Sequence, residues 1–199
     1  MSEATEHKKK MQERQSAQRA KVAELRDPEK GLVLVHTGAG KGKSSSAFGM
    51  VIRALGWKQK VGVVQFIKGK WKTGERQFFD RLGEVTWHTM GEGFTWDTQD
   101  KDRDIAAAQA AFAKGREMME SGAYDLIVLD EINIAMRYEY LSVEEVMAGL
   151  DARDARTGVV LTGRDAKPAL CEYADLVSEM VEVKHPFKAG IKAQRGVDY

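Results

Sequence analysis

The chain has 199 residues, enough for one α/β domain with an appendage and a sizeable core, and too few for a second full domain. Lys and Arg number 31 against 30 Asp and Glu, a net charge of +1, so no global field directs the chain to nucleic acid or to a membrane surface. Cys171 is the single cysteine; it excludes a disulfide framework or a cysteine-rich metal cluster within one chain and reads as a small core residue.

Residues 1–30 are polar and charge-dense, with Lys8-Lys9-Lys10 followed by Gln, Arg, Glu and Ala in helix-forming proportion up to Asp27-Pro28. This composition predicts a solvated helical arm that ends before the proline, separate from a domain over residues 31–199. No stretch approaches the roughly 18 consecutive apolar residues of a membrane span, and the N-terminus is too polar for a secretory signal. The expected location is the cytoplasm.

From Gly31 onward, apolar runs of strand length alternate with helical patterns, which predicts crossover connections and a mostly parallel sheet. Strands are expected at Leu32–His36, Val61–Phe66, Val85–Thr89, Leu126–Leu129, Val159–Thr162 and Leu176–Val183. A helix is expected from Ser45 to Leu55, stopping at Gly56, and another over Lys101–Ser121 with Ile105, Ala108, Phe112 and Met119 on one core-facing stripe. Ser142-Val143-Glu144-Glu145 has capping-box spacing and opens a helix to Leu150.

The first strand runs into Gly38-Ala39-Gly40-Lys41-Gly42-Lys43-Ser44, with Ser45 beginning the helix. Strand, glycine-rich loop and helix in that order suit a nucleoside triphosphate, ATP or GTP. Glycines let the backbone wrap the phosphate chain, amides and the helix N-terminus favour negative charge, Lys43 neutralises it, and the Ser44 hydroxyl can ligate magnesium. Lys43 reads as an exposed loop lysine. The G-x-x-x-x-G-K-[ST] pattern would put glycine at position 37, where this chain has Thr37, so the loop reads as one residue tighter.

Leu126-Ile127-Val128-Leu129-Asp130-Glu131 is the natural partner of that loop. Four apolar residues make a buried strand whose carboxyl end delivers two carboxylates to the edge where open α/β sheets bind ligands, and one of them can hold magnesium opposite Ser44. After the third strand, Gly91-Glu92-Gly93-Phe94-Thr95-Trp96-Asp97 sets two large aromatics among glycines. Their burial preference means that they cover a ligand or fold back to plug the core. Val64-Gln65-Phe66-Ile67-Lys68-Gly69 frames the same pocket or is an ordinary strand end. His36 and His88 read as satisfied core histidines; His185, before Pro186, is open to either reading.

These pieces together resemble the P-loop ATP:corrinoid adenosyltransferases, the cob(I)yrinic acid a,c-diamide adenosyltransferases. The likeness runs over about Gly31 to Tyr199. It rests on the loop Gly38 to Ser44, Val63-Val64-Gln65-Phe66-Ile67-Lys68-Gly69, Gly93-Phe94-Thr95-Trp96, Leu129-Asp130-Glu131, Leu161-Thr162-Gly163-Arg164, and Val183-Lys184-His185 through Lys192-Ala193-Gln194 to Asp198-Tyr199. Ser44 and Ser45 stand where the family commonly carries threonines, which keeps the hydroxyl.

The resemblance implies a RecA-like P-loop fold, a homodimer, and transfer of the 5′-deoxyadenosyl group of ATP to cobalt(I) of a corrinoid with release of triphosphate. ATP would lie reversed in the shortened loop, with a reduced flavoprotein as electron donor and the N-terminal arm able to fold over the corrinoid. Lys43, Lys41, loop amides and magnesium would serve the leaving group. Phe94 and Trp96 would displace the lower axial ligand of cobalt. Two rivals stand beside it: a RecA-like ATPase in which Glu131 activates water, distinguished by phosphate instead of triphosphate as product, and a noncatalytic corrinoid carrier.

Overall fold

The computed structural model describes residues 3–26, 29–67, 73–89 and 100–199. Helix α1 (Glu3–Ala23) is exposed along its described length, as its polar composition predicts, and ends before Pro28. The remaining elements in chain order are β1 (Val33–Thr37), α2 (Lys43–Gly56), β2 (Val61–Gln65), α3 (Gly74–Leu82), β3 (Val85–Thr89) and α4 (Lys101–Glu120). They continue with β4 (Leu126–Asp130), α5 (Ile132–Arg137), α6 (Val143–Asp151), β5 (Gly158–Thr162), α7 (Pro168–Tyr173), β6 (Leu176–Glu179) and a 3-10 turn, Pro186–Ala189.

The six strands form one sheet in the order β3-β2-β4-β5-β1-β6, and every pairing is parallel. Each central strand is apolar on both faces because helices cover both. Along β1, Val33 and Val35 enter one core layer with Phe112, Ile132 and Leu150, while Leu34 enters the other with Ala47, Phe48 and Val51 of α2. Val128 and Val160 join Leu34 on the α2 side, and Ile127, Leu129, Val159 and Leu161 join the opposite layer. Strand β5 therefore stands between the strand that feeds the phosphate loop and the strand that ends in two acids. This is the RecA-like arrangement that the resemblance implies.

Several boundaries differ from expectation for identifiable reasons. Strand β6 ends at Glu179 instead of Val183, because the next carbonyl, Met180, turns to accept the Gly40 amide at 2.6 Å. Helix α3 was not expected from the sequence: it is short and polar on average, Phe79 is its one buried residue, and its caps mark its ends. Thr73 accepts the Arg76 amide at 3.3 Å and Gly83 closes the helix at φ 71°. Phe79 and Phe48 pack against Trp87 of β3. Helix α6 is capped as predicted, Ser142 accepting the Glu145 amide at 3.1 Å. Cys171 is half-buried against the core.

Candidate nucleotide site

The phosphate loop begins one residue late because Thr37 belongs to the sheet. Its carbonyl accepts the Met180 amide at 2.8 Å and its hydroxyl accepts the Ala166 amide at 3.0 Å. Gly38 then turns at φ 95°, where a Cβ would lie 2.5 Å from the Met180 carbonyl oxygen; only glycine fits that approach. Gly42, at φ 110°, caps α2 without a side chain.

Two expectations for this loop need correcting. Lys43 is not an exposed loop lysine: it is 7% exposed, and its Nζ donates to the Gly38 and Gly40 carbonyls at 2.9 and 2.7 Å. Burial pushes its ammonium below the usual lysine range, with Glu131 opposing and Arg164 adding to the shift. Of three ammonium protons, two are used by the loop and one is left for a phosphate. The amides of the loop are not all free either, since that of Gly40 is committed to Met180. Lys41 pairs with Asp198 at 2.5 Å, and the Asp198 side chain is 8% exposed. The Gln194 amide, then Lys41, holds Asp198 below the usual carboxylate range.

Sheet register assembles the other half of the site. Gln65 is opposite Asp130, and the next pairs place Thr162 beside Asp130 and His36 beside Thr162. Because side chains alternate, this polar row faces the same side as Val63, Val128, Val160 and Leu34, the side covered by α2. Asp130 is buried and accepts from the Thr162 hydroxyl at 2.8 Å, from the Gln65 amide at 3.1 Å, and from the Ser44 hydroxyl. His36 is buried with its Nδ1 3.4 Å from the Lys43 carbonyl oxygen, a satisfied core position as predicted. His88 is half-buried on β3, and His185 caps the 3-10 turn by accepting the Phe187 amide.

Glu131 follows at φ 63°, a left-handed conformation unusual for glutamate, with its amide held by Thr162 Oγ1 at 2.9 Å. Burial, then the neighbouring Asp130, raises its carboxyl to about 7; Lys43 and Arg164 oppose the rise. Burial likewise raises Asp130, against its three hydrogen bonds. Two crowded, underhydrated carboxylates beside a serine hydroxyl are a hard-oxygen donor set whose charge a divalent cation relieves. No cluster of three His, Cys, Asp or Glu able to hold a metal occurs among the described residues. Magnesium is commonly held by one or two carboxylates together with substrate phosphates and water.

The Glu131 shift has a measurable consequence. The native state keeps the proton up to about 7 while an unfolded glutamate releases it near 4.5, so this group's contribution to stability falls as pH rises through that window. With a chelator present, Glu131→Gln is therefore expected to raise unfolding free energy at pH 8 by about 3 kcal/mol, and by almost nothing near pH 4.5. Chemical denaturation at the two pH values checks it; an equal effect at both is incompatible with this assignment.

Gly40 through Ser45, Asp130, Glu131 and Arg164 line one cleft of about 590 Å³, together with Gln65, Arg137 and Tyr199. Gly38 and Ala39, expected in the same site, do not line the cleft. Phe94 and Trp96 lie outside the described residues, as do Lys68 and Gly69. Composition and spacing had not marked Thr162, Asp198 or Arg137 for the site. Thr162 and Asp198 reach it through pairings distant in sequence; Arg137 does so from the last turn of the short helix α5. Among the described residues, no helix is long and apolar enough to cross a membrane.

A sequence model of the ATP:corrinoid adenosyltransferase family BtuR/CobO/CobP matches residues 29–199. The corrinoid adenosyltransferase of Pseudomonas aeruginosa is 54% identical over 194 residues, which cover 97% of this chain and 95% of its own. That of Sinorhizobium is 48% identical over 97% of this chain and 91% of its own. Corrinoid adenosyltransferase CobA of Salmonella typhimurium is 45% identical over 90% of this chain and 91% of its own.

Proposed function

The chain belongs to the ATP:corrinoid adenosyltransferase family, and on that premise we propose that it transfers the 5′-deoxyadenosyl group of ATP to cobalt(I) of a corrinoid and releases inorganic triphosphate. The corrinoid is cobyrinic acid a,c-diamide, cobinamide or cobalamin, and the reaction serves adenosylcobalamin biosynthesis and corrinoid salvage in the cytoplasm. The observation that carries this reading is the tight loop that starts at Gly38, with Lys43 and Ser44 against Asp130 in one cleft. A loop shortened by Thr37 suits a triphosphate held in reverse, with the 5′ carbon directed outward.

Cobalt(I) is itself the nucleophile, so no general base is needed. Its electron pair forms the bond to C5′ while the C5′–O5′ bond breaks, and that pair leaves on the triphosphate. The protein must hold C5′ in line with cobalt and stabilise the departing charge. Lys43 meets that charge through its remaining N–H, and Lys41 can do so by exchanging Asp198 for phosphate. Ser44, Asp130 and Glu131 would hold magnesium, which supplies charge neutralisation to the phosphates. Gln65 and Thr162 keep the Asp130 carboxylate oriented. A reduced flavoprotein supplies the electron that makes cobalt(I), and the working assembly is a homodimer.

One specific observation favours a second reading. A Glu131 carboxyl raised to about 7 is poised for general-base work, as an ATPase would require. The products separate the two. Incubation with ATP, magnesium and chemically reduced corrinoid is expected to give the light-sensitive adenosylated spectrum and one equivalent of triphosphate by phosphorus NMR. Orthophosphate without adenosylated corrinoid would establish the ATPase.

We assign residues 1–30 to a lid over the corrinoid, since α1 has no apolar face to bury in the core. A chain starting at Asp27 is expected to fold and to bind ATP as the full chain does, while its KM for corrinoid rises several-fold. Steady-state kinetics in corrinoid checks this; unchanged kinetics would return the arm to a solvated tail.

A further inference from the structure

The turn after β5 is fixed far more firmly than a surface connection needs. Gly163 takes φ 129°, and a Cβ there would lie 2.9 Å from that of Asn133 and 3.2 Å from Glu131 Oε2. Its amide donates to the His36 carbonyl at 3.2 Å, and its carbonyl accepts from Asn133 Nδ2 at 3.0 Å, with Asn133 fully buried. Asp165 adopts φ 56° and pairs with Arg137 at 3.0 Å. The Ala166 amide is held by Thr37 Oγ1. Two left-handed residues and four tethers hold this short stretch at the carboxyl edge, between the phosphate loop and the acids. A non-glycine residue at positive φ, as Asp165 is here, persists where the surroundings over-determine it, and such residues gather at working sites.

Arg164 is what this turn presents. Its side chain is exposed, lines the cleft with Lys43 and Ser44, and makes no hydrogen bond or ion pair among the described residues. Arg137, the neighbouring guanidinium, is already engaged by Asp165 and by the Tyr138 ring. A planar guanidinium has five donors in a fork that matches phosphate oxygens two at a time. Resting on the transfer reaction proposed above, we infer that Arg164 is a further catalytic residue, whose guanidinium binds the triphosphate as the C5′–O5′ bond breaks. It adds a third cation to Lys41 and Lys43, carried by the strand next to the one that feeds the loop, so the leaving group is gripped from two strands. Asn133 is its positioning residue, acting through the Gly163 carbonyl.

The test compares the full chain with Arg164→Gln and Arg164→Lys, using two readouts. With cobalt(I) made by a strong chemical reductant, Arg164→Gln is expected to lower kcat about 100-fold, as loss of one donor to a developing anion does. Arg164→Lys should recover part of that loss, and both variants should keep the parent melting temperature because the side chain is exposed. The second readout is equilibrium binding of inorganic tripolyphosphate, weakened at least about tenfold in Arg164→Gln by loss of a charge-assisted pair. A kcat within about threefold of the parent overturns the catalytic role, whatever tripolyphosphate does; unchanged tripolyphosphate binding overturns the contact itself. Should the unmodified chain release orthophosphate and form no cobalt–carbon bond, the transfer reaction falls, while tripolyphosphate binding still decides whether Arg164 grips the phosphate chain.

Discussion

Lys43→Ala is expected to lower adenosyl transfer by roughly 100- to 1,000-fold, the scale for removing one preorganised donor from a developing anion. The variant should also lose stability, because the lysine is structural as well as electrostatic. Its Nζ ties the Gly38 and Gly40 carbonyls together from a nearly buried position, and unpairing them costs on the order of 1 to 3 kcal/mol. Lys43→Arg separates the two roles. It keeps the charge but cannot place a compact ammonium between those carbonyls, so it should retain more tripolyphosphate affinity than Lys43→Ala while melting at a similarly lowered temperature. The checks are turnover with chemically prepared cobalt(I) and a thermal melt. Near-normal turnover in Lys43→Ala would remove the loop from the reaction.

Phe94→Ala and Trp96→Ala are expected to be selective for the oxidation state supplied. If these aromatics displace the lower axial ligand, they raise the potential at which cobalt(II) is reduced. Loss of a shift of about 120 mV corresponds to two decades in a one-electron equilibrium, so a mild reductant should turn over cobalt(II) roughly 100-fold more slowly. Cobalt(I) prepared beforehand should bypass most of the defect, since the phosphate grip is intact. A core-plug role gives a different pattern: a loss of about 3 to 5 kcal/mol in stability and comparable rates of loss from both cobalt states. Comparing the two starting states in parallel decides between them, and equal losses defeat the axial-ligand assignment.

What could be read from the sequence is what local order encodes. Gly38 to Ser44 lies between a strand and a helix whose signals are contiguous, and Asp130-Glu131 ends an apolar run long enough to be a buried strand. Five strands fall where their runs predict: the central four are apolar on both faces and need no alternation, and the edge strand β3 is marked by its β-branched and aromatic residues. The unread parts depend on partners far along the chain. Nothing near Gly40 announces that its amide is taken by Met180, and nothing near Lys41 announces Asp198. Burial of Lys43 follows from how the loop folds its own Gly38 and Gly40 carbonyls onto the ammonium. Helix α3 escaped because it is nine residues long, polar on average, and buries a single phenylalanine. Arg164 was visible as part of a motif, but its orientation comes from Gly163 and Asn133, which only the fold brings together.

The transverse row Gln65, Asp130, Thr162 and His36 gives the protein a division of labour that bears on its evolution. The spacing between phosphate grip and acids is set by the width of one intervening strand, about 4.8 Å on either side, and not by the conformation of any loop. A slip of β5 by one residue would put Leu161 or Gly163 in place of Thr162 and send the neighbouring side chains to the wrong face, so drift there is held in check by the whole sheet. Exposed segments such as α1 carry no such constraint. On the proposed reaction, acceptance of a larger or smaller corrinoid would change by substitution in such segments, while the residues assigned to breaking ATP at C5′ would be kept by the sheet that carries them.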